Sequence, residues 1–332
     1  MKFVVYRRND FNYKVGVSTV RNGLKWMTFL TSAGMFLVLL GGALVTKTKA
    51  GRGCGSDWPL CNGKFVPAYT LESMIEYNHR VVTGIVGILV VVTVVLVWSR
   101  LKKQTDAKLY AAGILFFTLL QAALGAMAVM WQQSSAVLAL HFGISLLAFS
   151  STLLLAVTVW RLERKPKTEA DPDPAVGQAI RISKGFRNLI WLITVYTYIV
   201  VYLGAFVRHT FSSGGCTGWP LCNGQWIPEL TGATGIVFMH RVAAAVLLLA
   251  IIWMAFLANS RYQGHKETQS LAFIILALAL LQVMSGAWVS YTIGNEEVFI
   301  FSSLLHTVVI SGLFGILSYA SVRFWELHRL QK

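Results

Sequence analysis

Four histidines fall inside long apolar runs, where an imidazole has few reasons to be: His79, His141, His240 and His306. Ionisable side chains in hydrocarbon are costly and mark function by default. One histidine near a helix end would be explained by a single interfacial hydrogen bond. Four of them, two in each half of the chain at equivalent places, point to paired ligation. Two imidazoles reaching inward from facing helices of a bundle can take both axial positions of a haem iron. Small residues on the same helices (Gly84, Gly87, Gly143, Gly312 and Gly315) would leave room for a flat macrocycle. They serve plain helix packing equally well. The remaining histidines, His209, His265 and His328, fall at span ends or in loops, where a solvated ring needs no explanation.

The residues around the first histidine of each pair differ in a telling way. The chain reads Glu76-Tyr77-Asn78-His79-Arg80 in one place and Val237-Phe238-Met239-His240-Arg241 in the other. Glu76 lies three residues before His79, so both project from one helical face. A carboxyl there could act as a general base or stabilise a developing cation. The competing reading is a carboxylate capping the start of the helix, which the helix dipole also favours. Di-iron bundles use a Glu-x-x-His step too, but they need a second such step and further glutamates, and neither exists here. Arg80 and Arg241 could pair bidentately with haem propionates or serve as interfacial anchors with no ligand.

Four cysteines complete the chemistry: Cys54, Cys61, Cys216 and Cys222. Recurring pairs on the oxidising face of a membrane suggest disulfides. Of the three connectivities, closure of each loop on itself, Cys54–Cys61 and Cys216–Cys222, is the simplest. Each bond could stiffen a Trp-Pro loop, or a short exposed loop could exchange thiols. A metal site is disfavoured because the loops lack nearby histidine.

The elements that carry these residues must cross a membrane. Of 332 residues, 55% are hydrophobic and only 13% charged, about half the charge of a soluble domain. Eight apolar runs approach the roughly 20 residues that a transmembrane helix needs. They lie near 24–45, 77–99, 108–130, 137–160, 189–208, 237–258, 271–291 and 301–322. The net charge of +15 is a topology signal, since 22 of the 29 Lys and Arg fall in segments on one side. Basic residues accumulate on the cytoplasmic side, which places both termini there and the cysteine loops outside. Affinity for anionic membrane lipid is a by-product; nucleic acid is not expected as a partner. No cleavable signal is evident, and the first apolar run is too long for one.

The chain is also duplicated. Trp58-Pro59-Leu60-Cys61-Asn62-Gly63 recurs at 219–224, an offset of 161 that also relates His79-Arg80 to His240-Arg241. The same offset relates Gln121 and Gly125-Ala126 to Gln282 and Gly286-Ala287. Upstream the offset becomes 162, relating Gly42-Ala43 to Gly204-Ala205 and Cys54 to Cys216. An even number of helices per copy inserts both in the same orientation, about a pseudo-two-fold axis along the membrane normal. The predicted fold is therefore an all-α integral membrane protein of two tandem four-helix bundles, 24–160 and 189–322. A cytoplasmic extension (1–23), a linker (161–188) and a tail (323–332) complete the chain.

The paired cysteine loops, the Glu76–Arg80 step and the single histidine in spans 2, 4, 6 and 8 resemble the haem A synthase family. The resemblance covers roughly residues 24–322 and implies oxidation of the C8 methyl of haem O, via an alcohol, to the formyl of haem A for terminal oxidases. It implies substrate haem between His79 and His141 with Glu76 catalytic, and a resident haem b between His240 and His306. Such an enzyme of a bacterial cell membrane would have haem O synthase and an electron-transfer protein as partners, with a homo-oligomer left open. One rival is a di-haem b cytochrome passing electrons from quinol to an acceptor, which leaves Glu76 unexplained. A haem carrier would need a continuous polar path, for which these spans hold too few polar residues.

Overall fold

The structure, a computed structural model, describes residues 22–67, 69–131, 133–163 and 181–329. Residues 1–21 of the predicted 1–23 extension and most of the 161–188 linker lie outside the described residues, and the last two residues of the extension begin the first helix. Among the described residues eight α-helices follow one another: α1 (Asn22–Lys47), α2 (Leu71–Arg100), α3 (Thr105–Met130), α4 (Ser135–Glu163), α5 (Lys184–His209), α6 (Gly232–Arg261), α7 (Lys266–Thr292) and α8 (Glu296–Arg329). Each is long and apolar enough to span a bilayer. At 1.5 Å per residue the 30-residue α2 and α6 reach about 45 Å, well beyond the roughly 30 Å of hydrocarbon.

The helices outrun the apolar segments that mark them. The second helix starts at Leu71 rather than 77, because Thr70 caps it by accepting the Ser73 N–H at 3.3 Å. His79 therefore sits two turns inside α2, and His240 has the same depth in α6, which starts at Gly232. The segment expected as a tail from residue 323 is helical through Arg329. It is held by a bidentate pair between Arg323 and Glu267, at 2.6 and 2.8 Å. His265, expected to be solvated, is only 4% exposed and caps α7, its Nδ1 accepting the Thr268 N–H. His328 bonds the Ile182 carbonyl at 2.8 Å.

Burial sorts the helices into a centre and a periphery. The most apolar stretches of α4 and α8 are 56% buried, that of α3 only 6%. In the first half α1 packs against α2 and α4, and α3 against α2 and α4; the second half repeats this with α5, α6, α7 and α8. The halves meet through α4–α5, α4–α8 and α1–α8. Without a hydrophobic drive between helices in lipid, hydroxyls add specificity: Thr31 bonds Thr93 at 2.7 Å, and Thr194 bonds Ser321 at 2.8 Å. The lipid-facing sides carry exposed apolar residues such as Ile88, Phe116 and Leu249.

Candidate functional site

Both cysteine loops close on themselves, Cys54 to Cys61 and Cys216 to Cys222. The repeated Asn-Gly that follows each second cysteine makes a two-residue hairpin. Asn62 and Gly63 have φ of 51° and 74°, Asn223 and Gly224 of 55° and 77°, the left-handed pair that a type I′ turn requires. Cys61 then exchanges backbone hydrogen bonds with Lys64, as Cys222 does with Gln225. Each loop lies directly on the next helix. A Cβ at Gly53 would strike the Glu72 backbone, and one at Gly215 the Ala233 backbone. Ser73 Oγ donates to the Gly53 carbonyl, and Thr234 Oγ1 to that of Gly215, its equivalent.

The arginine after each first histidine clasps this loop. Arg80 donates from Nη1 to the carbonyls of Asp57 (2.8 Å) and Leu60 (2.7 Å), and from Nη2 to Glu76 Oε1 at 2.6 Å. Arg241 donates from Nη1 to the Leu221 carbonyl at 3.1 Å, and from Nη2 to the Cys216 carbonyl and Ser290 Oγ. The two terminal nitrogens of each guanidinium, for which the sequence left propionate pairing and a ligand-free anchor both open, hold the disulfide loop to the helix bundle.

Glu76 does not cap α2; Thr70 does. Glu76 is buried (3% exposed), with Oε2 accepting the Cys54 N–H at 2.9 Å and Oε1 bound to Arg80. One carboxylate oxygen is therefore fixed by the disulfide loop and the other by a guanidinium, and the residue borders the cavity. Val237 occupies the corresponding place in the second half, packed on Cys216 and Cys222.

A continuous cavity of ≈ 1550 Å³ runs through both halves and is lined by all four histidines together with Glu76, Arg80 and Arg241. That exceeds the 300–1,000 Å³ typical of a pocket for one small ligand. The ring Nδ1 atoms of His79, His141 and His240 are buried without a hydrogen-bond partner, an arrangement that costs free energy unless something else satisfies the site. His79 and His141 lie within electrostatic reach of each other, as do His240 and His306.

Each imidazole also rests on a glycine of a neighbouring helix. A Cβ at Gly41 would come within 2.9 Å of His79, at Gly204 within 2.9 Å of His240, at Gly125 within 3.5 Å of His141, and at Gly286 within 3.2 Å of His306. The residues present thus fit two bis-histidine porphyrin sites in chemistry, pairing and space. Of the glycines expected to make that space, Gly84 and Gly87 do border the cavity. Gly143 packs instead on Tyr198 and Gly315 on Leu153.

Two glutamines complete the sites and were visible in the sequence only as repeat markers. Gln121 Nε2 lies 3.1 Å from His141 Nε2 and also bonds Ser145 Oγ. Gln282 Nε2 lies 2.9 Å from His306 Nε2, and Ser285 Oγ lies 2.9 Å from His306 Nδ1. The glutamines are 161 residues apart and the histidines 165. The four additional residues extend the start of α8 by one turn, so the register downstream changes while the contact survives.

Comparison with known proteins places this architecture. The family model for COX15-CtaA, cytochrome oxidase assembly protein, matches residues 25–318. The heme A synthase of Symbiobacterium thermophilum is 41% identical over 303 residues, 89% of this chain and 94% of that protein. That of Halalkalibacterium halodurans is 37% identical over 301 residues, 90% and 96% of the two chains. That of Bacillus licheniformis is 40% identical over 302 residues, 90% and 95%. Duplicated cysteine loops, paired histidines and eight apolar helices thus sit in a chain that belongs to the COX15-CtaA family of cytochrome oxidase assembly proteins.

Proposed function

We propose that this chain is a haem A synthase, an oxidoreductase of a bacterial membrane. It converts the C8 methyl of haem O to an alcohol and then to the formyl of haem A. His79 and His141 hold the substrate from opposite helices, with Gly41 and Gly125 leaving room for their rings. Glu76 receives protons released as the methyl group is oxidised. Arg80 and the Cys54 N–H fix its carboxylate, so the base does not wander. His240 and His306 would hold a resident haem b, whose chemistry there would be one-electron transfer to an acceptor. Apolar helices exclude bulk water from both sites. The cysteine loops face the outside and both termini the cytoplasm. Haem O synthase, which must deliver a greasy intermediate, and an electron-transfer protein are the partners this chemistry requires.

The observation that carries this reading is the buried Glu76 in a duplicated site whose other copy has Val237. Glu76→Gln keeps size and hydrogen-bonding capacity but cannot ionise. Conversion of haem O, followed by pigment extraction, should fall by about 10²–10⁴-fold while the b-type spectrum persists. Near-normal conversion in that variant would remove Glu76 from the chemistry.

A further inference from the structure

Seven Lys and Arg residues lie at the end of the bundle that carries the cysteine loops, and every one borders the cavity. Of the six acids at that end only Glu76 does. The cavity is thus built for an anion. Arg80 is taken by Glu76 and loop carbonyls, and Arg241 by loop carbonyls and Ser290. Lys49, Arg52 and Lys64 are exposed, where water satisfies them. Lys47 and Arg208 remain, both withdrawn from full exposure.

These two meet where the halves join. Lys47 ends α1, and Arg208 lies in the last turn of α5. Arg208 Nη2 donates to the carbonyls of Thr46 (2.6 Å) and Lys47 (3.1 Å), capping the helix that belongs to the other half. Its Nε is buried without a partner. No ion pair among the described residues engages either side chain. Two neighbouring cations in a low-dielectric cavity whose one carboxylate, Glu76, is held by Arg80 are expensive unless a ligand supplies the counter-charge.

The neighbours of Lys47 show which site it serves. Because α1 packs on α8, the Lys47 ammonium lies within electrostatic reach of His306, in the second half. The offset of 162 makes His209 its counterpart, and His209 lies within reach of His141, in the first half. Each half therefore lends the end of its first helix to the other's histidine pair.

We propose that Lys47, positioned by Arg208, is the carboxylate anchor of the second haem site and pairs with a propionate of the haem held by His240 and His306. The proposal rests on the reading of that pair as a haem site. A haem dimethyl ester, which lacks the carboxylates, separates the two ideas. The full-length chain, carrying His141→Ala so that only the second pair reports, is made without haem and titrated with haem b and with its dimethyl ester. A bis-histidine spectrum should appear with both, the ester binding roughly ten- to a hundredfold more weakly, as loss of a charged hydrogen bond predicts.

Lys47→Met should bring haem b down to the level of the ester, and Lys47→Arg should restore the preference. Arg208→Gln should reduce the preference while leaving affinity for the ester unchanged, which a merely structural role would not do. A Lys47→Met protein that still prefers haem b as strongly as its parent overturns the anchor, and would mean that a lipid phosphate answers Lys47. Absence of a bis-histidine spectrum with either pigment would instead overturn the haem site itself.

Discussion

The two halves share helices, disulfide loops, histidines, glutamines and glycine cradles, yet they differ in what surrounds the first histidine. In the first half Arg80 binds a carboxylate, Glu76, and its helix α3 presents Val129. In the second half the carboxylate is replaced by Val237, and Arg241 finds a hydroxyl at Ser290, the counterpart of Val129. One exchange compensates the other: each guanidinium keeps a side-chain acceptor, and only one copy keeps an acid. Duplication thus retained a loop clamp in both halves and a carboxylate beside the first histidine in only one. A similar trade occurs at the ends of α1 and α5, where Lys47 faces the second pair and His209 the first.

The sharpest way to break this comparison is to remove one ligand from each half. His306→Ala should abolish the b-type spectrum of the purified protein, since a bis-histidine iron cannot form there. His141→Ala should leave that spectrum in place and eliminate haem O conversion. Equal loss of the resident pigment in both variants would mean that the halves are not specialised as proposed.

A second test moves the acid. In Glu76→Val/Val237→Glu the new carboxyl again precedes an arginine by four residues, so an ion pair with Arg241 is within reach. Conversion should nevertheless stay about 10²–10⁴-fold below the parent, because the acid would then adjoin the pair proposed for the resident haem and not the one proposed for the substrate. The b-type spectrum should shift as a carboxylate enters beside Cys216 and Cys222. Recovery of activity would show the two histidine pairs to be interchangeable.

Much of the architecture was legible beforehand because bilayer thickness fixes helix length and the repeat fixes topology. The boundaries were less so, since apolar runs report hydrocarbon and not capping; Thr70 and His265 start their helices in polar sequence. Glu76 stood out because the duplication supplied its own control, Val237. The partners of that carboxylate did not. The Cys54 N–H and the carbonyls bound by Arg80 are backbone groups, which no side-chain pattern advertises. The glycine cradles lay in plain view as repeat markers, but their service to a histidine depends on which helices are neighbours. The Gln121–His141 and Gln282–His306 contacts were hidden by the shift from 161 to 165, a single helical turn that preserves the facing side chain. The meeting of Lys47 with Arg208 belongs to the joint between halves, which neither repeat contains alone.

The smallest expected effect sharpens the claim that Ser290 substitutes for the missing acid. Arg241 has three acceptors: the Leu221 and Cys216 carbonyls, and Ser290 Oγ at 3.0 Å. Ser290→Val restores the residue type of Val129 and removes one of them, while the two carbonyls continue to hold the guanidinium. A single hydrogen bond of this kind contributes about 1 kcal/mol net, so the loop over Cys216–Cys222 should open about five times more often. Amide hydrogen exchange at residues 216–225 should read that increase directly, with exchange at 54–64 unchanged because α7 does not touch the first loop's clamp. Adding Val237→Glu to Ser290→Val should then return protection to the second loop, since Arg241 regains a carboxylate four residues before it. If protection does not return, or if Ser290→Val alone releases the loop as fully as Arg241→Met, the two copies do not trade an acid for a hydroxyl and the clamps were built independently.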